Sequence, residues 1–243
     1  MKKFFLYIIM CLPLLVGCSE KSYFIEGTSS QFVLGGGTAY IRNSGLAVPG
    51  TGLWTLDSGH TPAIDSCQVV HGHFQMSGPL DDDLFVMLCM GDNSLFPFVL
   101  ENGEININIA RTSVQVNGTP LNDRLYQFLA SRDSLMYALS DLPRSEALLM
   151  LDGYSPFDIQ DYLFRKQTEY KNALEKLETE FVKDNYKNVL GQNWFLNLCS
   201  QAVGYYGRPV ATPQIETLYR KAPKSFRNIP QIKDYMQRAS RSY

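Results

Sequence analysis

The chain has 243 residues, of which 45% are hydrophobic and 12% aromatic, and its 22 basic and 24 acidic residues give a formal net charge of −2. This composition is typical of a folded globular protein. It argues against a nucleic-acid partner, which would favour a strongly basic surface. Since charge points to no class of ligand, the function has to be sought in individual segments and motifs.

The N-terminus has the order of segments found in an export signal. Two lysines precede an apolar stretch over residues 4–16, and Gly17 and Cys18 follow it. At about 13 residues the stretch is too short to cross a bilayer, which needs about 20 helical residues. We therefore predict a signal peptide over residues 1–17 that is removed.

The four residues Leu15, Val16, Gly17 and Cys18 match a lipobox, in which the cysteine thiol accepts diacylglycerol and the preceding peptide bond is cut. An ordinary signal peptide with a chance cysteine is the less favoured alternative, because the apolar core, the small residue and the cysteine are in register. Each buried methylene of an acyl chain contributes about 0.8 kcal/mol to membrane binding, so two or three acyl chains anchor a protein stably. The sequence therefore predicts a bacterial lipoprotein in which Cys18 carries the lipid, and palmitate is among the expected acyl chains.

The residues after the cysteine bear on which membrane holds the anchor. Ser19 follows Cys18 directly, so the aspartate that would indicate retention at the inner membrane is not there. The sequence thus favours the outer membrane, with the protein facing the periplasm.

Three cysteines, Cys67, Cys89 and Cys199, remain in the mature chain. An odd number leaves at least one thiol unpaired even in an oxidising compartment. Cys67 and Cys89 both lie in predicted strands and a disulfide between them is one alternative, but free thiols are favoured because cysteine is a common core residue. No Cys-x-x-Cys motif is present, so thiol exchange would need a pair that only the three-dimensional fold brings together.

The first part of the mature chain, residues 18–118, is predicted to be a β domain. Short runs of β-branched and aromatic residues are separated by turn residues, and the last run alternates strictly between apolar and polar positions. His71-Gly72 and Asn102-Gly103 are predicted to turn hairpins, the Asn-Gly pair supplying two positive-φ positions. The predicted strands are residues 23–25, 38–41, 53–56, 67–70, 74–76, 84–89, 96–100 and 105–109.

The second part, residues 119–243, has helical periodicity. Thr119-Pro120 supplies a cap and a first-turn proline for one helix, and Ser155-Pro156 does the same for a long amphipathic helix. The expected fold class is therefore α+β, with an N-terminal antiparallel β-sandwich or half-open barrel followed by a C-terminal helical region. Further helices are predicted at about residues 191–203, after Thr212-Pro213 and after Ile229-Pro230.

Two clusters of potential metal ligands are better explained as turns. His71 and His73, with His60 as a third ligand, would suit zinc or copper, but Gly72 is expected to turn the chain and point the two rings apart. The acidic run over residues 81–83 lacks the alternating acids and central glycine of a calcium loop. We predict no metal and no cofactor.

Catalytic motifs are missing from the sequence as well. It has no Gly-x-Ser-x-Gly, no phosphate-binding glycine loop followed by Lys-Ser or Lys-Thr, and no His-Glu-x-x-His. Trp194, Phe195, Tyr205 and Tyr206 are candidates for a ligand-binding patch, but their helical spacing favours a place in the core. A non-catalytic protein is the prediction; a hydrolase or sugar-binding lipoprotein has only scattered acids and aromatic residues in its favour.

Four segments, over residues 24–27, 65–78, 98–103 and 116–122, resemble one known family. They look like the domain of unknown function that precedes the thioredoxin domain in lipid-anchored thiol:disulfide interchange proteins of Gram-negative bacteria. The similarity extends over most of residues 23 to about 235. It implies a β-sandwich with helices on the periplasmic side of a membrane.

The resemblance carries over no catalytic residue. In relatives with that architecture the thioredoxin domain and its Cys-x-x-Cys would follow, whereas this sequence ends at Tyr243. We therefore expect a non-catalytic binding or accessory module of the cell envelope, attached to a membrane through its lipid and bound to a protein partner. The alternative is a protein accessory to periplasmic thiol-disulfide exchange that acts with a separate thioredoxin-like protein.

Overall fold

The computed structural model describes residues 21–30, 37–43, 62–90 and 93–241. In these segments strands come first and helices follow, which confirms the α+β class. The strand predicted over residues 53–56 lies outside the described residues.

The strands form two four-stranded sheets. Sheet A has the order β4-β1-β7-β8, and sheet B has the order β3-β2-β5-β6. The two sheets make a sandwich, so the half-open barrel is not the fold. In chain order the strands are β1 (Ser22–Ser29), β2 (Gly37–Asn43), β3 (Ala63–Val69), β4 (His73–Pro79), β5 (Leu84–Met90), β6 (Asn93–Leu100), β7 (Gly103–Ile109) and β8 (Val114–Asn117).

One strand pair departs from the expected antiparallel pattern. β1 pairs with β7 in parallel, with Tyr23 opposite Gly103 and Ser29 opposite Ile109. The other strand pairs of the two sheets are antiparallel. Parallel neighbours need a long connection, and here the connection from β1 to β7 runs through five intervening strands.

Burial follows strand periodicity in β1 of sheet A and departs from it in β5 of sheet B. In β1, Tyr23 and Ile25 point into the sandwich while Phe24 between them is exposed. In β5, Phe85 and Val86 are both buried, because Val86 faces sheet A and Phe85 faces the helices. A strand covered on both sides needs a continuous apolar run. The protein therefore has three layers: sheet A, sheet B and the helices.

The two predicted turns have different outcomes. His71 and Gly72 have φ of 51° and 79° and connect β3 to β4, as expected for a tight turn. Asn102-Gly103 does not turn a hairpin, because β6 belongs to sheet B and β7 to sheet A. Only Gly103 of that pair has a positive φ, 125°. The predicted Asn-Gly hairpin is therefore wrong, and the segment is a crossing between sheets.

The helices predicted to start at Pro120, Pro156, Pro213 and Pro230 begin at those prolines. The Ser155 hydroxyl accepts a hydrogen bond from the Asp158 N–H at 3.2 Å, and the Thr212 hydroxyl accepts one from the Ile215 N–H at 3.3 Å. The helices are α1 (Pro120–Ser140), α2 (Leu142–Leu151), α3 (Pro156–Asp184), α4 (Val189–Tyr206), α5 (Pro213–Lys221), α6 (Lys224–Arg227) and α7 (Pro230–Ser240).

The helical layer packs around α4, in which Phe195 is fully buried. Trp194 packs edge-on against Phe128 of α1, with ring centroids 4.5 Å apart, and Phe128 stacks on Phe181 of α3 at 3.8 Å. These contacts join α1, α3 and α4 into one cluster. Within the described ranges, none of the helices has the length and apolar character needed to span a bilayer.

Candidate functional site

The predicted lipidation site lies outside the described residues. The described residues start at residue 21, so the signal peptide over residues 1–17 and the anchor on Cys18 stay predictions. His60, considered as a metal ligand, lies outside the described residues too.

None of Cys67, Cys89 and Cys199 is in a disulfide in the described part of the chain. On β2, Ala39 lies opposite Cys67 and Tyr40 lies opposite Cys89. Because successive residues of a strand point to opposite faces, Cys67 and Cys89 lie on opposite faces of sheet B. Burial raises the pKa of the Cys67 thiol and raises that of Cys199 well above its usual value. A raised pKa keeps a thiol protonated, which is the opposite of what nucleophilic chemistry requires.

The histidine and aspartate clusters occupy surface turns. His71 is exposed in the turn before β4, and His73 is an exposed residue at the start of that strand. Residues 81–83 connect β4 to β5. Over the described part of the chain, no three His, Cys, Asp or Glu side chains are close enough together to hold a metal ion.

The aromatic residues of α4 divide between core and surface. Trp194 and Phe195 are in the core, as predicted, with 3% and 0% of their surface exposed. For Tyr205 and Tyr206 the core prediction is wrong, since 83% and 51% of their surfaces are exposed. They occupy the last turn of α4, just before Gly207 ends it in a left-handed conformation.

A buried polar cluster connects the sandwich to α1. One carboxylate oxygen of Glu101 accepts hydrogen bonds from the N–H groups of Leu121 and Asn122, at 2.9 and 3.0 Å. The Asn122 side chain accepts a bond from the Val99 N–H at 2.8 Å and donates one to the Val99 carbonyl at 2.7 Å. Glu101 therefore caps α1, whereas Thr119, the predicted cap, makes no side-chain cap bond.

The two buried carboxylates among the described residues, Glu101 and Glu178, have partners within the fold. Burial raises the pKa of Glu101, and hydrogen bonds from Thr119 and the start of α1 oppose that shift. Burial also raises the pKa of Glu178, opposed by Arg132, whose Nε lies 3.1 Å from the carboxylate. The Arg132 guanidinium lies over the Trp194 ring at 5.4 Å. These contacts give both carboxylates a role in holding the fold together.

The end of α1, all of α2 and the start of α3 carry a concentration of exposed apolar side chains, and this segment (residues 136–165) is here called the helical tip. α2 has no buried residue. Isolated apolar side chains are normal on a surface, but a concentration of them marks an interaction site. The exposed large apolar residues of the helical tip are Met136, Tyr137, Leu148, Met150, Leu151, Tyr154, Phe157 and Phe164.

The helical tip contains more acidic than basic residues. Its 30 residues contain five carboxylates and two arginines, Arg144 and Arg165. Arg165 is paired with Asp161 at 3.0 Å. Membrane-surface helices carry an excess of basic residues that bind anionic lipid. An acidic tip with methionine and aromatic residues is more typical of a protein interface.

Comparison with protein families gives one match. Residues 23–125 match the family model of a domain of unknown function, DUF4369. The DUF4369 segment begins in β1 and ends within α1, so it includes the sandwich and the Glu101–Asn122 cluster that caps α1. The helical tip lies outside it, and the resemblance of residues 126–235 stays a prediction. No curated protein and no solved structure matched the chain.

The helical tip was missed at the level of sequence. Residues 142–151 show no helical stripe because α2 buries no face. The usable signal was an unusual one: Leu148, Leu149, Met150 and Leu151 form an apolar run directly before a turn at Asp152. An apolar run without periodicity, outside a strand, is a reason to look for a binding surface.

Proposed function

We propose that this protein is a lipid-anchored, non-catalytic binding module of the cell envelope that holds a protein partner at the helical tip. The observation that carries the proposal is the exposed apolar surface of residues 136–165, with 83% of Leu151 and 78% of Phe157 accessible to solvent. Supporting it are the lipobox that ends at Cys18 and the absence of a catalytic motif from the sequence.

The helical tip has the properties of a preformed interface. It is carried by α1 and α3, whose other ends are fixed in the core through Phe128 and Phe181. A surface on rigid helices loses little conformational entropy when a partner binds. Exposed leucine, methionine and aromatic side chains supply the apolar centre that stable interfaces need. The partner therefore presents an apolar patch of its own.

The anchor is tested by metabolic labelling. Cells that express the full chain are fed labelled palmitate, and the protein is then examined after membrane fractionation. We expect label on the parent protein, recovery in the outer-membrane fraction, and loss of both in the Cys18→Ser variant. Equal membrane recovery of the two proteins would overturn the anchor.

The tip is tested by site-specific photo-crosslinking in intact cells. A crosslinking amino acid is placed at Leu151, and at Tyr205 as a control that is equally exposed on another helix. We expect a discrete protein adduct from position 151 only. The identified partner is then purified and titrated against the parent, a Leu151→Ser/Phe157→Ser variant and a Tyr205→Ser/Tyr206→Ser control. Equal affinity for all three would overturn the role of the tip.

The second candidate function is support of periplasmic thiol-disulfide exchange together with a separate thioredoxin-like protein. The resemblance of the sequence to the domain that precedes thioredoxin in lipid-anchored interchange proteins is what favours it. The family model that matches residues 23–125 describes a domain of unknown function and adds only that this segment is one domain type. The raised pKa values of Cys67 and Cys199 favour a supporting role over direct thiol exchange.

The redox candidate is tested with a Cys67→Ser/Cys89→Ser/Cys199→Ser variant and a deletion strain. We expect the deletion to leave oxidised substrates of a thioredoxin-like protein in the periplasm, and the triple variant to restore their reduction. Failure of the triple variant to restore it would show direct thiol chemistry. An unchanged thiol state in the deletion strain would remove this candidate.

A further inference from the structure

The outer face of sheet A carries a regular array of polar side chains that the functions above do not use. Alternate residues of its strands are buried in the sandwich, and the residues between them point to the outer face. The strand register places eight of these outward side chains in two rows, each of which crosses all four strands. One row is Gln75, Glu26, Asn106 and Asn117, and the other is His73, Thr28, Asn108 and Gln115. The eight side chains are here called the polar grid.

The polar grid is evenly spaced and largely unengaged. Neighbouring strands are about 4.8 Å apart, and residues two positions apart on one strand are separated by about 6.8 Å. Thr28 and Asn106, near the middle, are half-buried, and the other members are exposed. Within the described residues, the side chains of the grid form one hydrogen bond, from Thr28 Oγ1 to Asn108 Oδ1 at 3.4 Å. Their remaining donors and acceptors are therefore available to a ligand.

The residue types of the polar grid differ from those of an ordinary solvated strand face. Asparagine is depleted in β-strands, yet Asn106, Asn108 and Asn117 all belong to the grid. Lysine and arginine are absent from its eight positions, and the carboxylate is that of Glu26. Poor strand formers held in register on a rigid sheet are expected where side chains serve a ligand, since local sequence rules are broken mainly at functional sites.

The chemistry of the polar grid selects a class of ligand. Phosphate-rich ligands such as nucleic acids and anionic lipids are bound by basic side chains, and stable protein interfaces have an apolar centre. The grid offers neither. Its amide, imidazole and hydroxyl groups both donate and accept hydrogen bonds, and so does each hydroxyl group of a sugar. The matching ligand is therefore uncharged and rich in hydroxyl groups.

Two features beside the polar grid fit a chain of sugar rings. The grid borders a groove of about 480 Å³, whose lining includes Glu26, His73 and Gln75. That volume is in the range of small-molecule sites. Phe24 lies two residues before Glu26 on the same face of β1, with 39% of its surface exposed. Its ring supplies an apolar surface on which the C–H face of a sugar ring can pack.

We propose that the outer face of sheet A binds a neutral, extended oligosaccharide that lies across the four strands. Its hydroxyl groups form hydrogen bonds with the two rows of the polar grid, and one of its rings packs on Phe24. All of these residues lie within the DUF4369 segment, whereas the helical tip begins at residue 136. A protein without the lipid anchor, or with a polar tip, would retain the grid. This proposal and the function proposed above therefore fail separately.

The neutral probes are cellohexaose and its N-acetylated analogue, chitohexaose. The matched charged probe is cellohexaose with its hydroxymethyl groups oxidised to carboxylates. Each is titrated against the isotope-labelled full chain, in a detergent without a sugar head group, and the side-chain amide signals are followed by NMR. We expect a neutral probe to shift the signals of the grid amides and not those of Gln231 and Gln237, which are exposed on α7. The charged probe binds at least fivefold more weakly, because Glu26 repels it.

Variants of the protein test the two contributions of the polar grid. Gln75→Ala/Asn108→Ala removes two exposed amides, on β4 and β7, and weakens binding of the neutral probe about fivefold. The matched control, Gln231→Ala/Gln237→Ala, removes two exposed amides from α7 and leaves binding unchanged. Asn108→Lys adds a positive charge to the grid, so the charged probe binds more tightly to this variant than to the parent. The midpoint of urea unfolding stays within error of the parent in all three, because the positions are exposed.

Several results would overturn the proposal. They are the lack of saturable binding of both neutral probes up to about 1 mM, equal binding of the charged probe by the parent, or equal affinity of the parent and Gln75→Ala/Asn108→Ala. A concentration-dependent dimer in sedimentation that Asn108→Lys abolishes, together with shifts of the grid amides on dilution without sugar, would assign the face to a second copy of this chain.

Discussion

Asn122 attaches the start of α1 to the sandwich. Its side chain is fully buried and forms hydrogen bonds with both backbone groups of Val99. Asn122→Ala leaves the Val99 N–H and C=O buried without partners. At about 1–3 kcal/mol for each unsatisfied group, we expect the free energy of unfolding to fall by about 2–4 kcal/mol, measured by urea denaturation.

The matched control for this change is Asn172→Ala, at an exposed position of α3. An exposed substitution of this kind changes the free energy of unfolding by less than about 0.5 kcal/mol. If Asn122→Ala is as mild as the control, the bonds to Val99 do not hold the junction together.

Glu178 makes the stability depend on pH in an unusual direction. Burial raises its folded-state pKa above the ordinary value of 4.5. The native state then holds a proton that the unfolded state has lost, so stability falls as pH rises from about 4.5 to the raised pKa. Glu178→Gln cannot titrate. We expect the free energy of unfolding of the variant minus that of the parent to increase with pH across this window and then to level off.

The measurement is urea unfolding of both proteins at a series of pH values. Glu180→Gln, an exposed carboxyl on the same helix, controls for the loss of one negative charge from α3. A difference that stays flat, or that decreases with rising pH, would contradict the raised pKa of Glu178.

At the scale of elements, the contact between α3 and α4 depends on one glycine. A Cβ at Gly191 would overlap the backbone carbonyl of Asn185, the residue that ends α3. Backbone cannot rotate away as a side chain can, so Gly191→Ala forces the start of α4 outward. We expect a loss of about 1–3 kcal/mol in the free energy of unfolding, despite the better helix propensity of alanine.

Gly204→Ala, at an exposed position of the same helix, separates propensity from packing. It is expected to be neutral or to stabilise by up to about 1 kcal/mol. If Gly191→Ala and Gly204→Ala shift the thermal midpoint in the same direction, the contact between Gly191 and the Asn185 carbonyl is not tight enough to exclude a Cβ.

The sequence predicted the strands and helices whose residue patterns lie within the element itself. The strands of the described segments and the helix starts at Pro120 and Pro156 follow from alternation, turn residues and prolines. β8 was missed because it has only four residues, and α2 was missed because a helix that buries no face has no apolar stripe. Local patterns also cannot show pairing, so the parallel neighbours β1 and β7 were not foreseen.

The same distinction applies to the candidate sites. Glu101, and not Thr119, caps α1. Glu101 lies 20 residues before Leu121 in the sequence, and no spacing rule predicts a capping partner at that distance. The helical tip is a property of what the helices leave uncovered, so it depends on tertiary structure. The lipobox, by contrast, can be read directly from four consecutive residues.

At the scale of the whole molecule, sheet B joins the sandwich to the helices. Val86 of β5 packs in the sandwich core and its neighbour Phe85 packs in the helical core, so neither layer can separate without exposing one face of that strand. We therefore expect the described part of the protein to unfold as one cooperative unit, although its sequence changes character near residue 118.

Gly27→Ala tests this cooperativity from the far side of the molecule. Gly27 lies in β1 of sheet A, and a Cβ there would overlap the buried ring of Phe74, which is expected to lower the free energy of unfolding by about 1–3 kcal/mol.

The unfolding transition is followed by the fluorescence of Trp194 in the helical core. Both proteins carry Trp54→Phe, so that Trp194 is the one tryptophan that reports. If sandwich and helices unfold together, Gly27→Ala lowers the urea midpoint reported by Trp194 as much as the midpoint reported by hydrogen exchange in β1. A Trp194 transition that Gly27→Ala leaves unchanged would mean two domains that unfold independently, because the strain would then be confined to the sandwich.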